Sequence, residues 1–316
     1  MENFNKINLN FWKGRKVFVT GATGLLGSWL TKFLSDNGAE VVCLLRDQVF
    51  GNNFDFLKLN KKVTSVRGDY NDFELIDRII NEYEIDTVFH LGAQTIVTIA
   101  NKNPIPTLKG NINGTINILE ACRKNSNVKR VIIASSDKAY GSSDSLPYDE
   151  NTPLKGEHPY DVSKSCVDLI ASAYFTTYNL PVCITRCGNL YGPGDLNFSR
   201  IVPGIIKNIF EKEDPIIRSN GRFIRSYFYV KDAAEAYIIL AQQMEEKKLF
   251  GESFNFSTDE KMSVVELVEK IINLSNSKLN PKILDEVDHE IKDQYLSSEK
   301  AKKILNWNSK YSSEEG

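Results

Sequence analysis

The sequence predicts an α/β fold: a doubly wound parallel sheet of the Rossmann type with a smaller C-terminal lobe. Segments with strand and helix patterns alternate through residues 1–190, and most of the strand segments contain continuous apolar runs. Strands without a polar face belong to parallel sheets that helices cover on both sides. A glycine-rich segment at residues 21–27 also separates the first strand from the first helix. We therefore expect a dinucleotide-binding domain over 1–190 and a mainly substrate-binding lobe, interleaved with it, over 191–316.

The individual elements are predicted from apolar spacing and from glycine at element ends. In the first part, strands are expected at 16–20, 41–45, 62–66, 87–91, 128–134 and 182–186. Helices are expected there at 25–37, 73–83, 111–124 and 158–178. In the second part we expect helices at 201–211, 231–245 and 263–274, and short strands at 215–218 and 253–257.

The composition is that of an ordinary soluble globular protein. The chain has 316 residues, of which 41% are hydrophobic and 25% charged, and its net charge is -2. This charge gives no reason to expect nucleic acid or an anionic membrane as a partner. No apolar run approaches the ~20 residues of a spanning helix, and the N-terminus lacks the apolar core of a signal peptide. We therefore expect a cytoplasmic protein.

Neither the cysteines nor the histidines suggest a metal site. The cysteines are Cys43, Cys122, Cys166, Cys183 and Cys187, and no two of them form a CxxC pair. Several lie in apolar segments, so we expect reduced, buried thiols, as is typical of the cytosol. The three histidines are scattered along the chain, and no metal is expected.

The glycine-rich segment predicts a site for NAD or NADP. Gly21, Gly24 and Gly27 follow the first strand and open the first helix, where the backbone must turn tightly and approach a pyrophosphate. The N-terminus of that helix offers its free N–H groups to the phosphates. The residues expected to bind the cofactor here are Gly21, Thr23, Gly24, Leu25, Leu26 and Gly27.

The end of the second strand bears on the choice between NAD and NADP. An acid there normally binds the ribose 2′-OH of NAD. Leu45 occupies that position, and Arg46 follows it. Arg46 could pair with a 2′-phosphate, which slightly favours NADP, although Asp47 could still reach a ribose. Both cofactors therefore stay open.

Tyr160 and Lys164 are candidate catalytic residues. They stand four residues apart at the start of a predicted helix, which places both side chains on one face. We expect the ammonium of Lys164 to lower the pKa of Tyr160 from its ordinary value of ~10. A tyrosinate can remove an alcohol proton while hydride leaves the same carbon. Ser136, at the end of the fifth predicted strand, completes the constellation.

Together these segments resemble the extended short-chain dehydrogenase/reductases that act on nucleotide sugars. The resemblance covers nearly the whole chain and includes residues 90–94, 111–115, 186–192 and 225–232. It implies further cofactor-binding residues: Asp69 and Tyr70, in a segment that resembles an adenine-contacting motif, and Leu91, Ala93, Asn111, Tyr160, Lys164 and Cys187. It also implies that the helices at 111–124 and 160–178 pair across a two-fold axis, so we expect a homodimer or a homotetramer.

The residues after Ser136 distinguish the reactions of this family. Sugar epimerases have small or apolar residues there, whereas 4,6-dehydratases have an acid and a second ionisable group. This sequence has Asp137 and Lys138. Dehydration needs a base for the C5 proton and an acid for the C6 hydroxyl, in addition to redox at C4. The resemblance therefore implies a nucleotide-sugar 4,6-dehydratase, a hydro-lyase that recycles its bound cofactor, with Ser136, Asp137, Lys138, Tyr160 and Lys164 as catalytic residues.

Within the dehydratases, residues 10–17, 27–30 and 288–290 resemble the CDP-glucose branch. This implies that the substrate is bound by Gln94, Asn189, Arg200, Arg225 and His289, with the two arginines on the diphosphate. Residues 222–230 instead resemble general epimerase/dehydratase sequences, and Arg46 resembles GDP-mannose 4,6-dehydratases. The nucleotide base is therefore open. The alternatives are a GDP-mannose 4,6-dehydratase, a nucleotide-sugar 4-epimerase and, in a different class, a non-catalytic dinucleotide-binding regulator.

Overall fold

A seven-stranded parallel sheet forms the centre of the structure, a computed structural model that describes residues 7–48, 51–143, 145–286 and 291–316. The strands in chain order are β1 (Lys16–Thr20), β2 (Glu40–Leu45), β3 (Thr64–Arg67), β4 (Thr87–His90), β5 (Arg130–Ala134), β6 (Val182–Cys187), β7 (Asn189–Tyr191), β8 (Ile216–Ile217), β9 (Ile224–Arg225), β10 (Tyr227–Tyr229), β11 (Ser253–Phe256), β12 (Met262–Ser263) and β13 (Lys282–Ile283). The order in the central sheet is β11-β6-β5-β4-β1-β2-β3. Every pairing in this sheet is parallel.

Helices cover both faces of the sheet. The α-helices in chain order are α1 (Leu25–Asp36), α2 (Asn53–Phe56), α3 (Phe73–Glu82), α4 (Val97–Lys102), α5 (Pro104–Leu108), α6 (Gly114–Lys124), α7 (Pro159–Tyr178), α8 (Ile201–Glu211), α9 (Val230–Gln243) and α10 (Val264–Leu274). Single turns of 3-10 helix lie at Leu9–Trp12, Leu59–Lys61 and Asp137–Tyr140, and π-helical turns at Lys109–Asn113 and Ala301–Leu305. Of the residues that the structure describes, none forms a helix long and apolar enough to cross a bilayer.

The core has two halves, one on each face of the sheet. On β1, Val17 and Val19 pack in the half that contains residues of α1 and α9. Phe18, between them, packs in the half that contains residues of α3, α6 and α7. Successive side chains of a strand point to opposite faces. Both faces of β1 are therefore buried, which explains the continuous apolar run of Val17, Phe18 and Val19.

The carboxyl ends of β1 and β4 lie side by side, where the chain changes direction across the sheet. The last residues of the two strands, Thr20 and His90, are register partners. In doubly wound sheets, such a switch point opens the crevice in which ligands bind. The loops that follow these strands therefore define the candidate site.

The predicted fold class and the Rossmann-type parallel sheet are confirmed. β11 pairs with β6, and α9 packs against α1, so the second part of the chain returns to the central sheet. The helix expected at 111–124 begins only at Gly114, because a π-helical turn precedes it. The helices α2, α4 and α5 were not predicted, because their four to six residues are too few to show a helical period.

Candidate active site

The glycine turn after β1 packs directly against the residues after β4. Gly21 has a φ of 75°, in the left-handed region, and a Cβ at this position would lie 2.8 Å from the nitrogen of Gly92. A Cβ at Gly27 would lie 2.1 Å from the carbonyl oxygen of Gly21. Both positions therefore require glycine. This packing brings the first turn of α1 to the edge of the sheet.

The N-terminus of α1 fits an anionic group. Its N-cap is Gly24, no side chain caps the helix, and the first turn contains no acidic residue. The first N–H groups of a helix have no partner within it and carry partial positive charge. Gly24 is exposed, and Thr23, Leu25 and Leu26 beside it are partly exposed. The residues present therefore fit the pyrophosphate of a dinucleotide.

Asp69 and Tyr70 follow β3 and lie beside the same crevice. The Tyr70 ring fills the space that side chains would need at Gly92 and Gly114, where a Cβ would lie 2.8 Å and 2.1 Å from ring carbons. Asp69 Oδ1 accepts a hydrogen bond from the backbone nitrogen of Asn71 at 2.9 Å. Tyr70 thus packs against the loop after β4, while Asp69 holds the turn that carries it.

His90, the last residue of β4, has a structural role. Burial, together with the charge of Lys164, lowers its pKa to about 3, so the ring is neutral. Its Nδ1 lies 2.7 Å from Thr20 Oγ1, and its Nε2 lies 3.1 Å from Thr115 Oγ1. Thr20 Oγ1 also accepts a hydrogen bond from the nitrogen of Gly92 at 3.0 Å. The histidine therefore ties the end of β4 to β1 and α6.

Ser136, Asp137 and Lys138 form a tight turn at the end of β5. Ser136 Oγ accepts a hydrogen bond from the nitrogen of Lys138 at 3.2 Å and donates one to Asp137 Oδ1 at 2.9 Å. Ser136 and Asp137 are buried, and Lys138 is partly buried. An exposed loop of charged residues would leave these groups in solvent. A hydroxyl, an acid and an amine instead meet in one turn of the chain.

Tyr160 and Lys164 lie near the start of α7, and both are buried. Burial raises the pKa of Tyr160 to about 12, although a hydrogen bond with Ser136 opposes this. Burial also lowers the pKa of Lys164 to about 8. The prediction that Lys164 lowers the pKa of Tyr160 is therefore wrong for this structure. The low-dielectric surroundings dominate, and Lys164 Nζ donates to the carbonyl oxygen of Ala134 at 2.6 Å.

Asn111, a predicted cofactor residue, and Gln94, a predicted substrate residue, lie in hydrogen-bond contact. Asn111 lies in the π-helical turn, where its Oδ1 accepts from the nitrogen of Gln94 at 2.8 Å and its Nδ2 donates to Ser163 Oγ at 2.9 Å. Gln94 Oε1 accepts from the nitrogen of Ile96 at 2.8 Å. Asn111 therefore links Gln94, the residue after the predicted cofactor residue Ala93, to α7.

Arg225 is buried and holds a segment of the chain rather than facing solvent. Its guanidinium donates to the backbone carbonyl oxygens of Ile224 at 2.9 Å, of Lys292 at 2.5 Å and of Ile291. The sequence did not predict the contacts with Ile291 and Lys292, because these two residues lie far along the chain and in no regular element.

The other predicted substrate residues are placed differently. Arg200 is partly exposed at the N-cap of α8 and lies 3.4 Å from the carboxylate of Asp195. Its charge acts to lower the pKa of Tyr160, so it faces the same site. Asn189 begins β7, which pairs with β10. His289 lies outside the described residues.

Cys187 and Leu91 lie at the same edge of the sheet as the glycine turn. Cys187 is the last residue of β6, and Leu91 follows β4. Cys187 Sγ lies 3.9 Å from the hydroxyl of Tyr237, and burial raises the pKa of its thiol to about 12. Over the described ranges, no group of three or more His, Cys, Asp and Glu side chains is placed to hold a metal ion.

Two buried residues near the Ser-Asp-Lys turn were missed by the sequence analysis. Gln294 donates from Nε2 to the carbonyl oxygen of Asp137 at 3.0 Å and accepts at Oε1 from Lys138 Nζ. It lies in an irregular segment, where no spacing distinguishes a residue. Burial raises the pKa of Asp161 in α7, although the charge of Lys138 opposes this shift. Its position next to Tyr160 was the signal that could have found it.

The sequence model of one family, described as GDP-mannose 4,6 dehydratase, matches residues 18–316. The chain belongs to this family. The predicted nucleotide-sugar 4,6-dehydratase of the extended short-chain dehydrogenase/reductase type is thereby confirmed. This dehydratase is similar to a CDP-glucose 4,6-dehydratase of Salmonella typhimurium, with 34% identity over 96% of this chain and 89% of that protein.

Solved structures support the same assignment. The fold of this dehydratase is similar to that of a dTDP-glucose 4,6-dehydratase from Bacillus anthracis in complex with NAD (TM-score 0.84, 26% identity, 96% of this chain and 94% of that chain). It is also similar to that of a UDP-glucose 4-epimerase from Thermotoga maritima with UDP-glucose (TM-score 0.87, 26% identity, 95% of each chain). The predicted hydro-lyase, its nicotinamide cofactor and its nucleotide-sugar class of substrate are therefore confirmed.

Proposed function

We propose that this enzyme removes water from a nucleoside-diphosphate hexose, with CDP-glucose as the substrate, and forms the 4-keto-6-deoxy sugar nucleotide. The observation that carries the proposal is the turn at Ser136, Asp137 and Lys138. It places a buried acid and an amine beside Tyr160. A 4-epimerase needs redox at C4 but neither an acid nor a base for C6 and C5.

Each residue of the site has one task in the proposed reaction. Tyr160, whose pKa is raised by burial, starts the reaction protonated and accepts the proton of the C4 hydroxyl as it passes its own proton to Ser136. A nicotinamide cofactor held at the glycine turn and the N-terminus of α1 would supply the acceptor for the C4 hydride and the donor to C6, so no net redox would occur. Lys138 removes the C5 proton, which the C4 ketone acidifies, and returns it to C5 when hydride adds to C6. Asp137 accepts a hydrogen bond from Ser136 and receives through it the proton released at Tyr160. Asp137 gives this proton to the C6 hydroxyl, which departs as water.

The proposed binding residues divide between the two parts of the chain, with residues 1–190 mainly for the cofactor and residues 191–316 mainly for the substrate. The cofactor residues are Gly21, Thr23, Gly24, Leu25, Leu26, Gly27, Arg46, Asp69, Tyr70, Leu91, Ala93, Asn111, Tyr160, Lys164 and Cys187. The substrate residues are Gln94, Asn189, Arg200, Arg225 and His289. Arg200 is better placed for the diphosphate than Arg225, because it is partly exposed and Arg225 already binds carbonyl oxygens.

The substrate is tested by incubating the protein with CDP-, GDP-, UDP- and dTDP-hexoses and detecting water loss by mass spectrometry. We expect CDP-glucose to lose one water, with GDP-mannose as the alternative substrate. A product of unchanged mass that differs in configuration at C4 would contradict dehydration. It would favour the 4-epimerase, the activity named for the similar Thermotoga maritima structure.

The first prediction is that NAD(H) or NADP(H) co-purifies with the protein, because the cofactor is recycled and not consumed. Arg46 slightly favours NADP. Its side chain is 57% exposed and pairs with Asp47 at 2.7 Å, and this pair would have to open for a 2′-phosphate. Mass spectrometry of the supernatant after denaturation identifies the cofactor. Recovery of NAD alone would remove the argument from Arg46, and a different class of cofactor would contradict the whole proposal.

The second prediction is a homodimer or a homotetramer in which α6 and α7 pair across a two-fold axis. α7 exposes Leu169 by 60% and also exposes Tyr178, and Ile105 on the neighbouring α5 is exposed as well. We expect Leu169→Lys to shift the assembly towards monomer in light scattering, because it places a charge in an apolar contact. Phe210→Lys, on α8, is the matched control and should leave the assembly unchanged. A monomer of the unchanged protein at micromolar concentration would contradict the prediction.

A cytosolic location is part of the same proposal. The five cysteines are unpaired, and four of them are buried. Unpaired thiols are typical of proteins in reducing compartments.

A further inference from the structure

Gln294 connects two parts of the Ser-Asp-Lys turn through a single amide group. Its Nε2 donates to the carbonyl oxygen of Asp137 at 3.0 Å, and its Oε1 accepts from Lys138 Nζ. The residue is 1% exposed, so both bonds form away from solvent. If Gln294 lost these bonds, its buried amide would be left unpaired, which costs free energy. The side chain is therefore held in the geometry that makes both bonds.

The backbone around Gln294 is itself fixed. The nitrogen of Gln294 donates to the carbonyl oxygen of Ile224 at 3.0 Å, and Asp293 Oδ1 accepts from the nitrogen of Ile224 at 2.8 Å. Arg225 holds the carbonyl oxygens of the preceding residues, Ile291 and Lys292. The segment that carries Gln294 is therefore attached to both residues of β9.

We propose that Gln294 is a positioning residue, which holds Asp137 and Lys138 in the geometry that water loss requires; this rests on the proposed dehydration. Whenever Lys138 is unprotonated, the hydrogen that it donates to Gln294 Oε1 leaves its lone pair directed away from Gln294. Gln294 thus sets the direction in which Lys138 can take a proton. The hydrogen bond to the carbonyl oxygen of Asp137 fixes the backbone at the start of the same turn. It thereby helps to orient the Asp137 carboxylate.

The test compares Gln294→Leu and Gln294→Glu with the unchanged enzyme. Leucine has a similar size but makes neither bond, so Asp137 and Lys138 would lose their fixed positions. Misplacement of catalytic groups lowers kcat by about tenfold to a hundredfold. We expect that loss with little change in KM. The cofactor should still be reduced when sugar nucleotide is added, because the first hydride transfer does not use Gln294. Loss of dehydration with retained cofactor reduction is a result that a general loss of folding cannot give.

Gln294→Glu changes the charge beside Lys138 and keeps an acceptor oxygen. A carboxylate in contact with Lys138 favours the ammonium form of that lysine. The ascending limb of the kcat–pH profile should therefore move to higher pH by about 1 unit or more. Other titratable groups around this turn include Asp137, Tyr148, His158, Tyr160, Asp161, Arg200, Arg225 and Asp293. They are the same in all variants, so a shift reports the change at residue 294.

Gln243→Leu is the matched control. Gln243 also donates from its amide to a backbone carbonyl, that of Leu305 at 3.3 Å, but lies on α9 and is no part of the site. We expect its turnover and pH profile to match those of the unchanged enzyme, and thermal unfolding to show that all variants fold. Wild-type kcat and pH profile in both Gln294 variants would overturn the proposal, as would an equal loss of cofactor reduction and dehydration. If the unchanged protein releases no water from any sugar nucleotide, the proposed function fails, and the role of Gln294 fails with it.

Discussion

Tyr160→Phe is expected to abolish turnover while the protein stays folded. The hydroxyl of Tyr160 contacts Ser136 in a buried site, and no other group is proposed to accept the proton of the C4 hydroxyl. General acid–base groups contribute about 10²–10⁴-fold, so the loss should be at least of that size. Because oxidation at C4 is the first step, neither reduced cofactor nor dehydrated product should form. Absorbance in the reduced-nicotinamide band and mass detection of product measure the two outcomes separately.

Tyr148→Phe is the control for the loss of a buried tyrosine hydroxyl. Tyr148 is fully buried, and its hydroxyl donates to the carbonyl oxygen of Gly141 at 2.9 Å. Removing this bond should lower the free energy of unfolding by about 1 kcal/mol and leave turnover close to that of the unchanged enzyme. Cofactor reduction in Tyr160→Phe at the rate of the unchanged enzyme would contradict the assignment of Tyr160 as the C4 base.

The central sheet could be predicted from the sequence because its strands are apolar on both faces. Val17, Phe18 and Val19 alternate between the two halves of the core, and no polar residue interrupts them. The glycine turn was equally predictable. Gly21 needs a positive φ, and Gly27 has no space for a side chain, so the spacing in the sequence reflects a steric requirement.

The contacts that complete the site could not be predicted, because they join residues far apart in sequence through irregular segments. Gln294 meets Asp137 and Lys138 although it lies 157 and 156 residues away from them in the sequence. Arg225 binds backbone carbonyls that any residue could supply. Likewise, the four-residue spacing of Tyr160 and Lys164 shows that they share a helical face, but the direction of their pKa shifts depends on burial, which the spacing does not contain.

Asp137→Asn is expected to stop water loss but to leave the first hydride transfer intact. Asparagine keeps an oxygen that can accept the hydrogen bond from Ser136, so the turn should keep its shape. It cannot deliver the proton that the departing C6 hydroxyl needs. We therefore expect dehydration to fall by about 10²–10⁴-fold, while added sugar nucleotide still reduces the bound cofactor. The measurement is a persistent reduced-nicotinamide band without a product that has lost water.

The partial reaction distinguishes a specific role of Asp137 from a loss of stability. Asp232→Asn is the matched control. Asp232 is 1% exposed, and its carboxylate accepts from the nitrogens of Lys310 and Tyr311 at 3.0 Å and 3.1 Å, outside the proposed catalytic site. This control should weaken folding without uncoupling the two halves of the reaction. Lys138→Ala should resemble Asp137→Asn, because loss of the C5 base also blocks the chemistry after C4 oxidation. If Asp137→Asn and Lys138→Ala both dehydrate at the rate of the unchanged enzyme, the assignment of this turn is wrong, and 4-epimerisation, which needs neither group, becomes the better account of the site.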